Sequence, residues 1–185
     1  MSDIWFVTGG ARSGKSSYAE KLVAGKGSVL YIATGVAFDE EMESRIERHK
    51  ADRPKDWITW ERFCDLSHIE SEFQPDDFGA IILECIGNLF MGVLFVEVPD
   101  ENVFTDEDFE RIEQIGKEDI AALCAYANKY GKRLVFVSNE IGMGIVPKTR
   151  YVRNFRDSLG RINQYVATLA DKVVLMVSGI PLEVK

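Results

Sequence analysis

Eight consecutive residues, Gly9-Gly10-Ala11-Arg12-Ser13-Gly14-Lys15-Ser16, have the make-up of a phosphate cradle. They fit the spacing G-x-x-x-x-G-K-[ST] in full. The glycines let successive backbone N–H groups curl around phosphate oxygens with no Cβ in the way. A helix opening at the end of the loop points its positive end at the same phosphates. In that setting the Lys15 ammonium neutralises β and γ oxygens, and the Ser16 hydroxyl reaches Mg²⁺. The pattern implies a nucleoside triphosphate site. Such a site also calls for a carboxylate at the end of a neighbouring strand, to hold the metal or its waters. Glu84, directly after Ala80-Ile81-Ile82-Leu83, stands in that place; the plainer reading is a strand-end carboxylate facing solvent.

His49 is the second group with chemistry to offer. Within Glu47-Arg48-His49-Lys50 it reads most simply as a solvated helix residue. An imidazole can also attack an α-phosphate and carry the nucleotidyl group as a phosphoramidate, and Lys50 and Arg53 nearby would help to neutralise the phosphates. His68, in Asp65-Leu66-Ser67-His68, lacks such company and reads as surface. Asn139-Glu140-Ile141-Gly142-Met143-Gly144-Ile145-Val146-Pro147 follows an apolar run, so its glycines and proline suggest a shaped loop on the ligand side of a sheet. Arg153, Arg156, Asp157, Arg161, Asn163 and Gln164 share one helix. They form either a polar face with local ion pairs or a set that reaches a substrate or a neighbouring subunit.

The elements that must position these groups are legible as alternating patterns. Ile4–Thr8, Val29–Ala33, Ala80–Leu83, Leu134–Val137 and Val173–Val177 are short, nearly continuous apolar runs, as suits strands buried on both faces of a parallel sheet. Trp57–Trp60 reads as a short extra strand. One helix is expected from inside the glycine loop to about Val23. Another is expected over Glu40 to Lys50, where Met42, Ile46 and His49 share a face. Long helices are expected near Asp106–Tyr130 and Val152–Ala170. Glu97 to Asp106, acidic and carrying Pro99, reads as an exposed loop. The alternation predicts one α/β domain over residues 1–185 with a mostly parallel sheet flanked by helices.

The bulk properties narrow the function. A chain of 185 residues is enough for one sizeable core. A formal net charge of −8 repels phosphate backbones, so no nucleic-acid partner is expected. Cys64, Cys85 and Cys124 are odd in number and lack metal spacing, and they read as core fillers. The start, Met1-Ser2-Asp3, has no basic region and no signal-peptide pattern, and no run approaches a membrane span; a cytoplasmic location is expected.

These segments together resemble the bifunctional adenosylcobinamide kinase/adenosylcobinamide-phosphate guanylyltransferases of cobalamin biosynthesis. The resemblance is carried by Thr8 to Ser16, Tyr31-Ile32-Ala33-Thr34, Arg45-Ile46 through His49-Lys50 to Arg53-Pro54, and Leu83-Glu84-Cys85. It continues through Ser138-Asn139-Glu140, Gly144 to Pro147, Phe155-Arg156-Asp157, Gly160, Asn163-Gln164 and Val177 to Leu182. It implies a RecA-like P-loop fold, often assembled as a trimer, with GTP, ATP and Mg²⁺ as nucleotide and metal requirements. It implies two reactions: a triphosphate phosphorylates the aminopropanol hydroxyl of adenosylcobinamide, and GMP from GTP is then passed through the enzyme to that phosphate. His49 inherits the role of GMP acceptor. The nucleotide contacts it implies fall on Gly9, Gly10, Ala11, Arg12, Ser13, Gly14, Lys15 and Ser16, on Ala33, Thr34 and Gly35, on Lys50, Ala51, Asp52 and Arg53, and on Glu61 and Glu84. An imidazole with a pKa near ~6.5 is commonly unprotonated at neutral pH, and basic neighbours favour that form.

One stretch departs from the pattern. After Glu84-Cys85, relatives carry a Thr-rich run ending in Thr-Asn-Leu-Leu, whereas here Met91-Gly92 replaces the Thr-Asn pair. Gly87 and Gly92 weaken a helix there by about 1 kcal/mol each relative to Ala. Two other functions compete with the bifunctional one. A P-loop kinase for another small molecule would form no covalent intermediate, and a nucleotide-dependent switch would modify no acceptor.

Overall fold

A computed structural model describes residues 3–35, 40, 50, 53–97 and 104–185. Most of the helix expected over Glu40 to Lys50, including His49, lies outside the described residues, as do Ala51, Asp52 and part of the loop expected over Glu97 to Asp106. The described elements run β1 (Asp3–Gly9), α1 (Lys15–Val23), β2 (Val29–Ala33), β3 (Ile58–Glu61), a short α2 (Ile69–Glu72), β4 (Ala80–Glu84), α3 (Ile86–Glu97), α4 (Asp106–Tyr130), β5 (Arg133–Asn139), α5 (Arg150–Leu169), β6 (Lys172–Val177) and β7 (Ile180–Glu183). Short 3₁₀ turns at Leu66–His68 and Pro75–Asp77 link β3 to β4 around α2.

The seven strands form one sheet in the order β3-β2-β4-β5-β1-β6-β7, parallel except for the β6–β7 pair. This is the mostly parallel, helix-flanked α/β architecture expected of a RecA-like P-loop protein. The central strands read as unbroken apolar runs because both faces are covered. Ile4, Phe6, Leu30, Ile32, Ile81, Leu83, Leu134 and Phe136 point to one side, into a core shared with α3, α4 and α5. Val7, Val29, Tyr31, Ile82, Val135 and Val137 point to the other, where Ala19 and Val23 of α1 pack. The period of two then dictates which strand-end groups meet α1: Glu84 follows Ala80 and Ile82 onto that face, and Tyr31 shares it.

Chain geometry at the helix ends is set locally. Thr105 and Asp108 form a reciprocal capping box at the start of α4, and Gly131, at φ 63°, closes its end with an N–H bond to Ala127 O. Gly79 is required for a different reason, since a Cβ there would sit 1.7 Å from Lys26 O. Two elements differ from the sequence reading. Ile86–Glu97 is helical despite its two glycines. At Gly92 the ring of Phe63 occupies the space of a side chain, with ring carbons 2.6 Å from where a Cβ would stand; packing on that ring offsets the poor propensity. The second is β7, whose exposed Ile180–Glu183 shows no strand-like alternation of burial. Among the described residues no helix is long and apolar enough to cross a membrane.

Candidate nucleotide site

The glycine loop leaves the end of β1 and enters α1 directly. Three of its residues have the left-handed backbone that makes the curl: Gly9 at φ 152°, Arg12 at φ 55° and Gly14 at φ 93°. Gly9 has no room for a side chain, because a Cβ would lie 2.6 Å from Met176 O and 2.8 Å from Ser13 Oγ. The loop is braced from two sides. Glu140 N–H donates to Gly9 O at 2.9 Å, and Gly179 N–H, in the β6–β7 turn, donates to Ser13 O at 2.9 Å. Gly10 and Ala11 are exposed at the tip, while Ser13 is buried with its hydroxyl lacking a hydrogen-bond partner among the described residues.

Lys15 is buried, and its ammonium folds back to donate to Gly10 O at 2.7 Å. Burial lowers its pKa, opposed by the negative charge of Glu84. An ammonium in this position is poorly solvated and faces the hollow of the loop, which favours an anion entering there. Ser16, in the first turn of α1, donates its hydroxyl to Glu84 Oε1. The other carboxylate oxygen, Oε2, accepts from the Tyr31 hydroxyl at 2.7 Å. The expected strand-end carboxylate therefore faces the loop. β4 carries it there although β5 lies between β4 and the loop-bearing β1.

The remaining sequence-predicted positions line the same ends of the sheet. Ala33 is in register with Glu84 on one side and Glu61 on the other. Thr34 is buried and ties β2 to the residues after β4, with its N–H on Glu84 O at 3.1 Å and its hydroxyl on Cys85 O at 2.8 Å; Gly35 follows it, partly exposed. Glu61 lies one strand further out and forms an exposed ion pair with Lys50 at 2.7 Å. The Arg53 guanidinium sits 3.8 Å above the Tyr31 ring and donates to Thr59 Oγ1 at 3.3 Å. His49, Ala51 and Asp52 are outside the described residues.

The polar residues of α5 divide between the two readings open for them. Arg161 pairs with buried Glu113 at 2.7 Å and Arg156 with Asp157 at 2.9 Å, which are ion pairs within the protein. Arg153 donates to Pro147 O and Lys148 O, holding the end of the loop after β5. Asn163 donates to Asn139 O at 3.2 Å, bracing the strand end beside Gly9. Gln164 is exposed.

His68 is exposed, with Nδ1 2.8 Å from Arg62 Nη2. Burial pushes the Cys85 thiol up to about 11 and the Cys124 thiol up to about 12, which agrees with inert core roles.

Sequence reasoning gave no role to Tyr31 or to the Ser178-Gly179 turn. Their partners lie 53 and about 165 residues away, and no local pattern announces them. Both stand in segments that carry the family resemblance, Tyr31 to Thr34 and Val177 to Leu182, but nothing in either segment names a partner.

The cobinamide kinase / cobinamide phosphate guanyltransferase family profile matches residues 5–184 of the chain. A bifunctional adenosylcobalamin biosynthesis protein CobU from Escherichia coli K12 is 42% identical over 181 residues, covering 97% of this chain and 98% of its own length. The protein of the same name from Salmonella typhimurium LT2 is 44% identical over 180 residues, with the same coverage. The bifunctional adenosylcobalamin biosynthesis protein CobP of Pseudomonas aeruginosa is 34% identical over 181 residues, covering 97% of this chain and 95% of its own. Among solved structures, a KaiC-like protein from Pyrococcus horikoshii OT3 superposes with a TM-score of 0.47 at 10% identity, covering 94% of this chain and 70% of that one.

Proposed function

The chain belongs to the cobinamide kinase / cobinamide phosphate guanyltransferase family, and on that premise we propose that residues 1–185 act as one domain catalysing both reactions. In the first, the aminopropanol hydroxyl of adenosylcobinamide attacks the γ-phosphorus of a triphosphate, ATP or GTP, and the nucleoside diphosphate leaves. In the second, the His49 imidazole attacks the α-phosphorus of GTP. A P–N bond forms, the bond to pyrophosphate breaks, and the resulting guanylyl-histidine passes GMP to the adenosylcobinamide phosphate, giving adenosylcobinamide-GDP.

The observation that carries this reading is the meeting of Lys15, Ser16 and Glu84 at the loop, in a chain matched to the family over nearly its whole length. Lys15 and the loop N–H groups neutralise and orient the phosphates, and the same groups stabilise the departing pyrophosphate. Gly9 to Gly14 supply the cradle. Ala33 to Gly35, Lys50, Arg53 and Glu61 would lie along the nucleotide, and the family resemblance assigns Ala51 and Asp52 the same role.

Two hard oxygen donors in contact, the Ser16 hydroxyl and the Glu84 carboxylate, fit Mg²⁺, which keeps several waters and takes its other ligands from phosphates. No group of three His, Cys, Asp or Glu side chains among the described residues is placed to hold a metal ion, and such a site does not call for one. Bound there, Mg²⁺ would neutralise charge developing on phosphate oxygens.

Intact mass of the protein after incubation with GTP and Mg²⁺ tests the reading. A GMP-sized, acid-labile adduct is expected in the wild type and absent in His49→Ala. A folded, GTP-binding wild type that forms no adduct would leave a plain kinase.

A further inference from the structure

Tyr31 is only 4% exposed, on the α1 face of the sheet. The phosphate-loop pattern does not ask for a tyrosine there. Its hydroxyl donates to Glu84 Oε2 at 2.7 Å while Ser16 donates to Oε1, so the two carboxylate oxygens are held by different donors. A glutamate has freely rotating side-chain bonds, and one anchor leaves the direction of the second oxygen open; two anchors fix it. The tyrosine is itself fixed. The Trp57 ring stacks on it, centroids 6.2 Å apart and planes at 29°, and the Arg53 guanidinium lies 3.8 Å from its centroid.

We propose that Tyr31 is a positioning residue for the metal-holding carboxylate: its hydroxyl sets Glu84 so that Oε1 faces Ser16 and the phosphate loop, and Arg53, stacked on the ring, helps to hold the ring in that setting. The proposal rests on the reading of Ser16 and Glu84 as the residues that hold the divalent cation.

Tyr31→Phe removes the hydroxyl and keeps the ring, its stack on Trp57 and its contact with Arg53. The test uses Mn²⁺ as the probe and a non-hydrolysable GTP analogue. Electron paramagnetic resonance gives the Mn²⁺ affinity of the protein–analogue complex, calorimetry in EDTA gives the metal-free analogue affinity, and thermal midpoints are read alongside. In Tyr31→Phe the Mn²⁺ affinity is expected to fall about tenfold, equivalent to about 1.4 kcal/mol, with metal-free analogue affinity unchanged. In a Glu84→Ala background the same change should have no further effect, because the carboxylate it positions is gone. Mn²⁺ affinity within twofold of wild type, or a tenfold loss that persists in the Glu84→Ala background, would overturn the proposal. A wild-type complex that holds Mn²⁺ no more tightly than the free analogue would overturn the metal-holding reading itself, and the positioning role with it.

Discussion

Lys15 donates to a loop carbonyl at 2.7 Å, so an entering phosphate has to offer the ammonium a better acceptor. A charged oxygen does so, since hydrogen bonds between charged groups are shorter and stronger than neutral ones. Lys15→Ala should therefore weaken GTP binding by about 10- to 100-fold, the range of a charge-assisted bond of ~1.5–3 kcal/mol. Calorimetry on the folded variant measures it. Burial lowers the Lys15 pKa, so the ammonium is lost at lower pH than on an exposed lysine. GTP affinity should accordingly decline on the alkaline side, and the Lys15→Ala variant should not show that decline.

Asp119 behaves in the opposite sense. Its carboxylate accepts from Leu66 N–H at 2.7 Å but is buried, and desolvation lifts its pKa to about 6 from 3.8. Between those two values the folded protein holds a proton that the unfolded chain has lost. Stability must then fall as pH rises through this window; the cost is absent below about 3.8 and complete above about 6. Asp119→Asn keeps an acceptor for Leu66 and removes the titration. Urea unfolding from pH 4 to 7 should show a shallower loss of stability in the variant; equal slopes would rule out Asp119 as the source.

At the scale of elements, α3 decides how far the sequence could be read. Its two glycines argue against a helix by propensity alone, and the reason one of them is tolerated is tertiary: the Phe63 ring fills the space beside Gly92. Gly87 has no such neighbour, with Leu159 and Cys85 atoms 3.6–3.7 Å from where a Cβ would stand. The two substitutions should diverge. Gly87→Ala should stabilise by up to ~1 kcal/mol from helix propensity, and Gly92→Ala should destabilise by ~1–3 kcal/mol from overpacking. Chemical denaturation of the pair checks the sign of each. The same contrast explains what was legible. β1, β2, β4, β5 and β6 were readable because burial on both faces leaves an uninterrupted apolar signature. The loop and Glu84 were readable because a fixed spacing and a strand end locate them. Tyr31, the Gly179 turn and the Phe63–Gly92 contact were not, since each depends on a partner that only the folded sheet brings near. β7 was hidden by its exposure and by Pro181, a residue suited to an edge strand.

At the scale of the whole molecule, the outermost strand poses a problem that one chain does not solve. Val177, Ile180, Leu182 and Val184 are 52%, 69%, 56% and 64% exposed, and Ile180, Leu182 and Val184 follow one another at a spacing of two, on one face of the edge. The strand is short and carries Pro181, so its backbone is a poor template for pairing, and what it leaves uncovered is apolar side-chain area. Glu183 of the strand is paired with Lys172, and the chain as a whole carries a net charge of −8, so copies repel at long range and contact is favourable only where apolar area is buried. A second copy of the chain is the occupant to expect if the homo-oligomer, a trimer, that the family resemblance implies is formed through this edge. Light scattering should therefore return a multiple of 20.9 kDa, with three copies expected. Leu182→Asp should shift the population towards single chains, because a carboxylate facing an apolar partner must be desolvated without compensation. The phosphate loop is braced by Gly179 backbone and not by the Leu182 side chain, so the variant should keep its thermal shift with GTP. A wild type that scatters as one chain would remove the need for a partner at this edge. A Leu182→Asp protein that stays assembled would move the interface to another surface.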